Sequence, residues 1–503
     1  MIAFLSRDRL RQRPRFACLA AFLAGSALVA AFSPLDLSPL ALLAPALLIH
    51  LWLCAARPGD CAWIGFAFGM GLFAAGVSWV YVSLSLFGGM PAPLAAFATL
   101  AYCAWLALLP AAVGYAQHRI GAGDSMRAFV FIPALWMLSE WVRGWYFTGF
   151  PWLVLGYAGT DTPLAGYAPL VGVYGVSLLA MVCAALVWAI VLRPRRAVSL
   201  ALLVAILAAG ALLRLVEWTQ PYGAPLTVSL LQGNIAQEMK FDPERYAKTL
   251  ATYERLASES RAKLIILPET ALPRFLDRVD PAYLAGLESI ARRNGGDLLV
   301  GVPYRTAGVG TEPAKFFNSV ISLGTSPRQL YSKTHLVPFG EFVPPGFGWI
   351  VNILQIPLSD FSRGESAQRP LAVAGQNVAI NVCYEDAFGE EIIRPLPEAT
   401  LLVNVSNMAW FGDSLAPGQH LQMARMRTIE SGRAMLAATN SGVTAAIDRG
   451  GRVLGRLPQF AEGRLEVEVR GYTGATPYVR FGNWPALIAA ALLLVLSAAL
   501  RKR

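Results

Sequence analysis

The hydrophobic and polar positions divide the chain into a long apolar first part, a mixed middle part and a short apolar end. Stretches long enough to cross a bilayer lie at about 16–33, 38–55, 61–84, 92–117, 127–142, 166–192, 198–215 and 484–500. About 20 residues cross the hydrocarbon core, so the pattern predicts eight transmembrane helices. Further spans follow the first one directly, which favours a retained helix over a cleaved signal peptide at 16–33.

The middle part alternates short apolar runs with amphipathic segments. The apolar runs predict buried strands near 227–232, 263–268, 298–302, 316–323, 378–384, 401–406, 435–439 and 444–448. Amphipathic patterns predict helices near 243–260, 281–293 and 416–431. This alternation is typical of an α/β domain, and about 250 residues are ample for one core. We therefore expect a seven-helix transmembrane bundle at 1–216, an α/β domain at 217–480, and a C-terminal transmembrane helix with a basic tail at 481–503.

The charges show which side of a membrane each part faces. The net charge is +10, yet residues 217–480 carry 26 basic and 26 acidic side chains, so the flanking parts hold the whole excess. If the N-terminus is cytoplasmic, every basic residue of those parts falls on the cytoplasmic side except Arg143 and Arg214. This distribution predicts that both termini are cytoplasmic and that 217–480 is not. It also accounts for the basic pI without a nucleic-acid partner.

Three polar residues in the middle part follow apolar runs and bear reactive groups. Cys383 ends V-A-I-N-V-C and is the one cysteine outside the apolar spans, so it has no partner for a structural disulfide. Glu269 ends L-I-I-L-P-E, and Lys333 lies in Y-S-K-T-H-L-V-P-F-G-E. Placed at one edge of a sheet, they would supply a base, a cation and a nucleophile. The four histidines are scattered and predict no metal site.

These three segments, in this order, resemble the nitrilase superfamily with its Glu-Lys-Cys triad. Three further segments make the resemblance more specific, namely L-Q-G-N-I-A-Q at 231–237, S-N-M-A-W-F-G-D-S at 406–414 and Q-H-L-Q-M-A-R-M-R-T-I-E-S-G-R at 419–433. With membrane helices on both sides, the whole chain resembles the bacterial apolipoprotein N-acyltransferases. The resemblance implies a nitrilase-like α-β-β-α sandwich at 217–480.

The resemblance also implies an activity and its partners. Cys383 would attack the sn-1 ester of a membrane phospholipid, phosphatidylethanolamine being the expected donor, with Glu269 as base and Lys333 facing the oxyanion. The resulting thioester would pass its acyl chain to the α-amine of an S-diacylglyceryl apolipoprotein. We expect a monomer in the bacterial inner membrane, with the catalytic domain in the periplasm and no cofactor.

Five further residues are expected to support the reaction. The resemblance implies that Glu341 orients Lys333 or moves protons, and that Tyr384 and Glu385 shape the pocket. Phe241 stands where tryptophan is expected beside the substrate head group, so its role as a lid residue is open. Trp410 belongs to a set of apolar loop residues that would keep water from the thioester.

Other interpretations of the same residues remain open. His335 or His420 would make a Cys-His hydrolase, although no local cysteine-protease motif accompanies Cys383. A membrane-anchored amidase or nitrile hydrolase, or a lipoprotein-binding protein with a vestigial triad, would keep the same domain. The aromatic loop at 143–165 is typical of an interfacial belt and alternatively forms a wall of a lipid path.

Overall fold

A computed structural model describes residues 7–194, 196–236, 243–308, 313–344, 346 and 360–500. Phe241, one of the expected site residues, lies outside these residues. The chain divides into two compact units, the first made of Met1–Tyr81, Ala92–Glu217 and Arg480–Arg503, the second of Val82–Pro91 and Trp218–Val479.

The first unit is helical. Within its described residues, five helical stretches are long and apolar enough to cross a membrane, namely Pro14–Ala31, Pro58–Gly76, Ala92–Arg119, Pro163–Leu192 and Arg196–Leu213, and two shorter apolar ones lie at Leu40–Cys54 and Trp484–Val495. The predicted span at 127–142 is a π-helical turn, Arg127–Phe131, continued by a short α-helix. The count of eight transmembrane helices therefore stays a prediction. The helices of this unit are α1 Arg7–Gln12, α2 Pro14–Leu28, α3 Leu40–Cys54, α4 Pro58–Gly76, α5 Ala92–Arg119, α6 Ile132–Arg143, α7 Ala168–Leu192 and α8 Arg196–Leu213.

Glycines let three of these helices pack with their backbones in contact. A Cβ added at Gly25 of α2 would lie 2.0 Å from the carbonyl oxygen of Phe68 in α4. A Cβ at Gly65 of α4 would lie 2.3 Å from the carbonyl oxygen of Pro110 in α5. Such close approach through small residues is how helices associate in a bilayer, where no hydrophobic force drives them together.

The described part of the second unit contains two six-stranded sheets and the helices that cover them. One sheet has the order β12-β1-β2-β3-β4-β5 and the other β11-β10-β9-β8-β7-β6. The strands are β1 Gln220–Gln232, β2 Leu264–Ile266, β3 Asp297–Arg305, β4 Phe316–Gly324, β5 Leu330–Ser332, β6 Leu371–Val373, β7 Gln376–Val382, β8 Leu401–Ser406, β9 Met435–Thr439, β10 Ala445–Ile447, β11 Val453–Arg456 and β12 Gly463–Thr473. The helices are α9 Pro243–Ser258, α10 Pro281–Arg293, α11 Gly389–Ile392 and α12 Ala416–Ser431, followed by α13 Pro477–Phe481, which contains the boundary between the units, and α14 Trp484–Leu500 of the first unit.

Apolar clusters hold this unit together as four layers. One cluster joins side chains of both sheets, such as Val228, Val320, Val382 and Val405. Another packs α9 and α10 on the first sheet, and a further one packs α11 and α12 on the other. The result is an α-β-β-α sandwich with mixed sheets.

The strand directions bring several chain ends to one edge of each sheet. Strands β1, β2 and β3 are parallel, β4 runs antiparallel to β3, and β5 runs antiparallel to β4. In the other sheet β7, β8 and β9 are parallel. The residues that follow β2 and β5 therefore share one edge with the first residues of β4, and those that follow β7, β8 and β9 share another.

Gly301 of β3 allows the segment that carries Glu269 to lie against this strand. A Cβ at Gly301 would come within 2.3 Å of the carbonyl oxygen of Pro268 and 2.8 Å of the Cα of Glu269. We expect Gly301→Ala to destabilise the protein by about 1–3 kcal/mol, the usual effect of overpacking, and to lower its melting temperature. Gly286→Ala is the control, because a Cβ there meets its nearest atom at 3.9 Å and alanine should stabilise helix α10 by about 0.5–1 kcal/mol. Equal melting temperatures for the two variants would contradict this account.

Candidate active site

Lys333 lies buried between two carboxylates. It follows β5, is 1% exposed, and places its Nζ 2.8 Å from Glu341 Oε2 and 3.7 Å from Glu269 Oε1. Burial disfavours the ammonium form, but the charges of Glu341 and Glu269 outweigh it and raise the pKa of Lys333. The lysine is therefore a fixed positive charge in the site.

Asn318 holds the two carboxylates together. Its Nδ2 donates hydrogen bonds to Glu269 Oε1 at 2.7 Å and to Glu341 Oε1 at 2.8 Å. It stands near the start of β4, beside the segments that follow β2 and β5. Glu341 also accepts the backbone N–H of Val337 at 2.8 Å, so its carboxylate is held from three sides. Sequence reasoning missed Asn318, although an asparagine within the apolar run F-F-N-S-V-I is a signal for a buried polar contact.

Cys383 is presented by a strained turn at the end of β7. Its φ of +53° lies in the left-handed region that residues with a side chain seldom adopt. A 3₁₀-helix, Cys383–Ala387, begins at this residue. The carbonyl oxygen of Cys383 accepts a hydrogen bond from Asn404 Nδ2 at 3.0 Å and lies 3.2 Å from His420 Nε2. These contacts from β8 and α12 stabilise a backbone conformation that the residue itself disfavours.

The surroundings of Cys383 keep it protonated. Burial raises the pKa of the Cys383 thiol well above its ordinary value, and the charge of Glu269 raises it further. Lys333 acts in the opposite direction but does not reverse the shift. A thiol in this state attacks a carbonyl group only when a neighbouring base takes its proton.

Glu385 ties the turn that carries Cys383 to the loop that carries Lys333. It is 2% exposed, and its carboxylate accepts a hydrogen bond from the Val382 N–H at 2.6 Å. It also accepts hydrogen bonds from the other loop, donated by Tyr331 Oη, Thr334 N, Thr334 Oγ1 and His335 N. Because both of its carboxylate oxygens accept hydrogen bonds in this way, Glu385 holds the turn at Cys383 and the loop at Lys333 in one relative position.

The two histidines near the site are each paired with a carboxylate. His420 Nε2 lies 3.1 Å from Asp386 Oδ1, and both side chains are buried. Burial disfavours the imidazolium, but the charge of Asp386 outweighs this and raises the pKa of His420. His335 Nδ1 lies 3.2 Å from Glu391 Oε2, and its ring stacks on Phe388 at 3.6 Å between centroids. Each of the two histidines therefore lies beside a different carboxylate.

Two further expected residues lie in the 3₁₀-helices that follow β7 and β8. Tyr384 is 9% exposed and packs edge-on against His335 and Phe388. Trp410 belongs to the 3₁₀-helix Met408–Phe411 just after β8. Its carbonyl oxygen accepts a hydrogen bond from Ser83 Oγ at 2.8 Å, and its ring meets Phe87 edge-on at 5.7 Å.

The arrangement combines a carboxylate, a buried ammonium group and a thiol. Together these groups can attack an acyl carbon and stabilise the oxyanion that forms. The structure brings Glu269, Lys333 and Glu341 into one hydrogen-bonded cluster, whose charges act on Cys383. Among the described residues, no three His, Cys, Asp or Glu side chains form a group that could hold a metal ion.

Comparisons with known proteins cover nearly the whole chain. Residues 24–186 match the profile of the apolipoprotein N-acyltransferase N-terminal domain, and residues 227–478 match that of the carbon-nitrogen hydrolases. A protein named apolipoprotein N-acyltransferase from Nitrosomonas europaea is 50% identical, over 95% of this chain and 96% of its own. Proteins of the same name from Ralstonia nicotianae and Methylococcus capsulatus are 45% and 44% identical, over 98% and 97% of this chain and 95% and 97% of theirs. The two mixed sheets are thus those of a carbon-nitrogen hydrolase fold.

Removing the charge of Glu269 and removing the charge of Lys333 should shift the pKa of Cys383 in opposite directions. We expect Glu269→Gln to lower the pKa of the thiol, because that carboxylate raises it, and Lys333→Gln to raise it, because that ammonium lowers it. The rate of Cys383 alkylation by iodoacetamide, followed against pH by peptide mass spectrometry, measures both. Cys383→Ala gives the background from the other cysteines. A shift of the same sign in both variants would contradict the arrangement.

The His420–Asp386 pair should make stability depend on pH. The pKa of His420 is raised on folding, so the pair stabilises the protein fully below the ordinary histidine pKa of about 6.5 and loses this contribution as pH rises through the raised value. We expect His420→Gln to cost about 1.5–3 kcal/mol in the acid range, as for a hydrogen bond to a charged group. Melting temperatures of both proteins, measured from mildly acidic to mildly basic pH, should converge as pH rises. A gap that widens with pH would reject this assignment.

Proposed function

The chain belongs to the apolipoprotein N-acyltransferase family, and we propose that it transfers an acyl chain from a phospholipid to the N-terminal S-diacylglyceryl-cysteine of apolipoproteins. The observation that carries this proposal is the cluster in which Lys333 lies between Glu269 and Glu341 while the same charges act on Cys383. An acyl transfer through sulfur needs a base, a cation and a nucleophile in such proximity. A binding protein needs none of the three.

In the first step Cys383 is the nucleophile and Glu269 the base. Glu269 takes the proton from Cys383 Sγ as sulfur attacks the sn-1 ester carbonyl carbon of a phospholipid such as phosphatidylethanolamine. The oxyanion of the tetrahedral intermediate faces the ammonium group of Lys333. The bond from carbon to the glycerol oxygen then breaks, Glu269 returns the proton to that oxygen, and a lysophospholipid leaves. The acyl chain stays on sulfur as a thioester.

In the second step the α-amine of the apolipoprotein cysteine replaces sulfur. The amine nitrogen attacks the thioester carbonyl carbon and gives a proton to Glu269, while Lys333 again faces the oxyanion. The carbon–sulfur bond breaks, an amide forms, and Glu269 returns the proton to Cys383. The raised pKa of the thiol favours this return, because it makes the neutral form the stable resting state.

The supporting residues act by holding these groups in place. Glu341 orients Lys333, to which it is bound at 2.8 Å, and Glu385 fixes the distance between the lysine loop and the nucleophile turn. Tyr384 and Trp410 line the pocket and help to exclude water from the thioester. Phe241 is proposed as an aromatic neighbour of the substrate head group.

The same proposal includes a place in the cell. The chain is a membrane protein of the bacterial inner membrane, with eight transmembrane helices in 1–216 and 481–503 and both termini in the cytoplasm. Residues 217–480 act in the periplasm, where they meet both lipid substrates at the membrane surface. The uneven distribution of basic residues along the sequence supports this orientation. We propose a monomer that needs no cofactor.

The thioester is the intermediate to test first. We expect the purified protein, incubated with phosphatidylethanolamine, to gain one acyl mass that Cys383→Ala does not gain. A peptide beginning with S-diacylglyceryl-cysteine should remove that mass, because its amine is the second substrate, and water alone should remove it slowly. Intact-protein mass spectrometry measures each species. The control is His50→Gln in helix α3, because this change leaves the cluster intact. Glu385→Gln would not serve as a control, since Glu385 holds the site together.

The possible outcomes separate the candidate functions. An unmodified protein with every phospholipid tried would remove the thioester mechanism and favour a lipoprotein-binding protein. Rapid loss of the acyl mass to water alone would make the protein a lipase-like hydrolase.

A further inference from the structure

Asn440 is a buried amide at the junction of the two sheets. It follows β9 and is 1% exposed. Its own backbone N–H donates to the carbonyl oxygen of Ser406, the last residue of β8, at 3.0 Å. Its carbonyl oxygen accepts the N–H of Asn234, just beyond β1, at 2.8 Å. The residue therefore touches the ends of strands that belong to different sheets.

The side chain of Asn440 uses its whole hydrogen-bonding capacity. Oδ1 accepts from the Ile235 N–H at 3.0 Å and from Tyr253 Oη at 3.3 Å. Nδ2 donates to the Ile235 carbonyl oxygen at 2.7 Å and to Asn407 Oδ1 at 3.1 Å. Both lone-pair positions and both protons of the amide are thus used. Neither a carboxylate nor an apolar side chain of this size can replace it.

The two segments joined by Asn440 follow strands at the edges that carry Glu269 and Cys383, because β1 is parallel to β2 and β8 is parallel to β7. Asn407 directly precedes the helix Met408–Phe411 that carries Trp410, and it lies three residues beyond Asn404, which binds the Cys383 carbonyl oxygen. On the other side, Asn234 has a left-handed φ of +48° and donates from Nδ2 to the Phe460 carbonyl oxygen at 2.8 Å. Asparagine adopts this region more readily than most residues, and the bond to Phe460 holds Asn234 in it.

We propose that Asn440 is a positioning residue that joins the segment at 234–235 to the segment at 407–411 and so keeps water away from the acyl group on Cys383. This inference rests on the proposed function, because it concerns how long the thioester survives. The hydrogen bonds of Asn440 run to the backbone of residue 235 and to the side chains of Tyr253 and Asn407, and it acts through these groups. Loss of the Asn440 side chain should therefore change how the acyl-enzyme breaks down more than how fast the acyl-enzyme forms.

Asn440→Asp tests the inference with a near-isosteric change. The second carboxylate oxygen would face the Ile235 carbonyl oxygen and Asn407 Oδ1, so two attractive contacts become repulsive. The matched control is Asn294→Asp. Asn294 Nδ2 also donates two hydrogen bonds, in this case both to backbone oxygens, of Ser260 at 3.0 Å and Ala262 at 3.1 Å. Those residues precede β2, whereas Glu269 follows it, so the control lies at the opposite edge of the sheet.

The measurement is the partition of the acyl-enzyme. Full-length protein in detergent is loaded with phosphatidylethanolamine, freed of donor and divided between buffer and buffer with an S-diacylglyceryl-cysteine peptide. We expect Asn440→Asp to load normally and to raise the ratio of hydrolysis to transfer about tenfold, as for one lost net hydrogen bond. Asn294→Asp should leave that ratio unchanged. Asn407→Ala, which removes one of the side-chain contacts, should give a smaller increase of the same sign.

The results separate this inference from the proposed function. If the unaltered protein forms no acyl adduct, the proposed function fails before Asn440 is tested. If all variants load and discharge to water in the same proportion, the proposed function stands and the role of Asn440 is wrong. If Asn440→Asp does not fold, the ratio in Asn407→Ala decides, and an unchanged ratio there also overturns the inference.

Discussion

The site depends on two carboxylates held close together in a buried place by one ammonium group. Glu269 and Glu341 both bind Asn318 Nδ2, and in the absence of Lys333 their charges would repel each other at short range. Lys333 in turn is 1% exposed, and a buried ammonium is stable only when it is paired. Each of the three charges therefore needs the other two. This mutual requirement fixes the Lys333 side chain before any substrate is bound, which is what stabilisation of a developing oxyanion demands.

The same cluster determines the state of the nucleophile. Two acidic groups and one basic group leave a net negative charge beside Cys383, and this charge adds to the effect of burial, so the pKa of the thiol is raised. A standing thiolate would be a better nucleophile and also a better leaving group. In the proposed mechanism, a thiol that ionises only as it attacks binds its acyl group in a less readily broken thioester. In this mechanism, the poorer leaving group gives the thioester a longer lifetime in which the second substrate can arrive.

Much of this arrangement could be predicted from the sequence, and the parts that could not have physical reasons. The apolar runs that end at Glu269 and Cys383 are strands β2 and β7, since continuous apolar runs of this length mark strands buried on both faces. Strand β12, which reads G-R-L-E-V-E-V-R, was not predicted, because an edge strand exposed on one face has no continuous apolar run. Asn318, Asn404 and Asn440 escaped prediction because their partners lie on segments distant in the sequence, and sequence spacing does not reveal which segments become neighbours. The transmembrane count rests on length and apolarity, and helices as short as α3, with 15 residues, fall below that criterion.

The residues of the candidate site come from both sheets. The apolar core between the sheets therefore affects the relative positions of these residues. Glu269 and Lys333 belong to the sheet that contains β2, β4 and β5, whereas Cys383 belongs to the sheet that contains β7 and β8. The distance between the two groups follows from the apolar side chains that fill the space between the sheets, among them Leu230 of β1 and Val382 of β7. Interiors packed at this density leave little freedom, so the core limits how far the two sheets, and the groups that they carry, can move apart.

Polar contacts then fix the positions of the segments at the strand ends, which packing of the apolar core alone would leave free to shift. Glu385 makes one such contact between the end of β7 and the lysine loop. Asn440 makes the other between the ends of β1, β8 and β9. Both residues are buried, and a buried polar group that loses a partner is costly, so each holds its two segments in one relative position. The apolar core therefore limits how far apart the edges of the two sheets lie, and these two polar residues hold the segments at those edges in place.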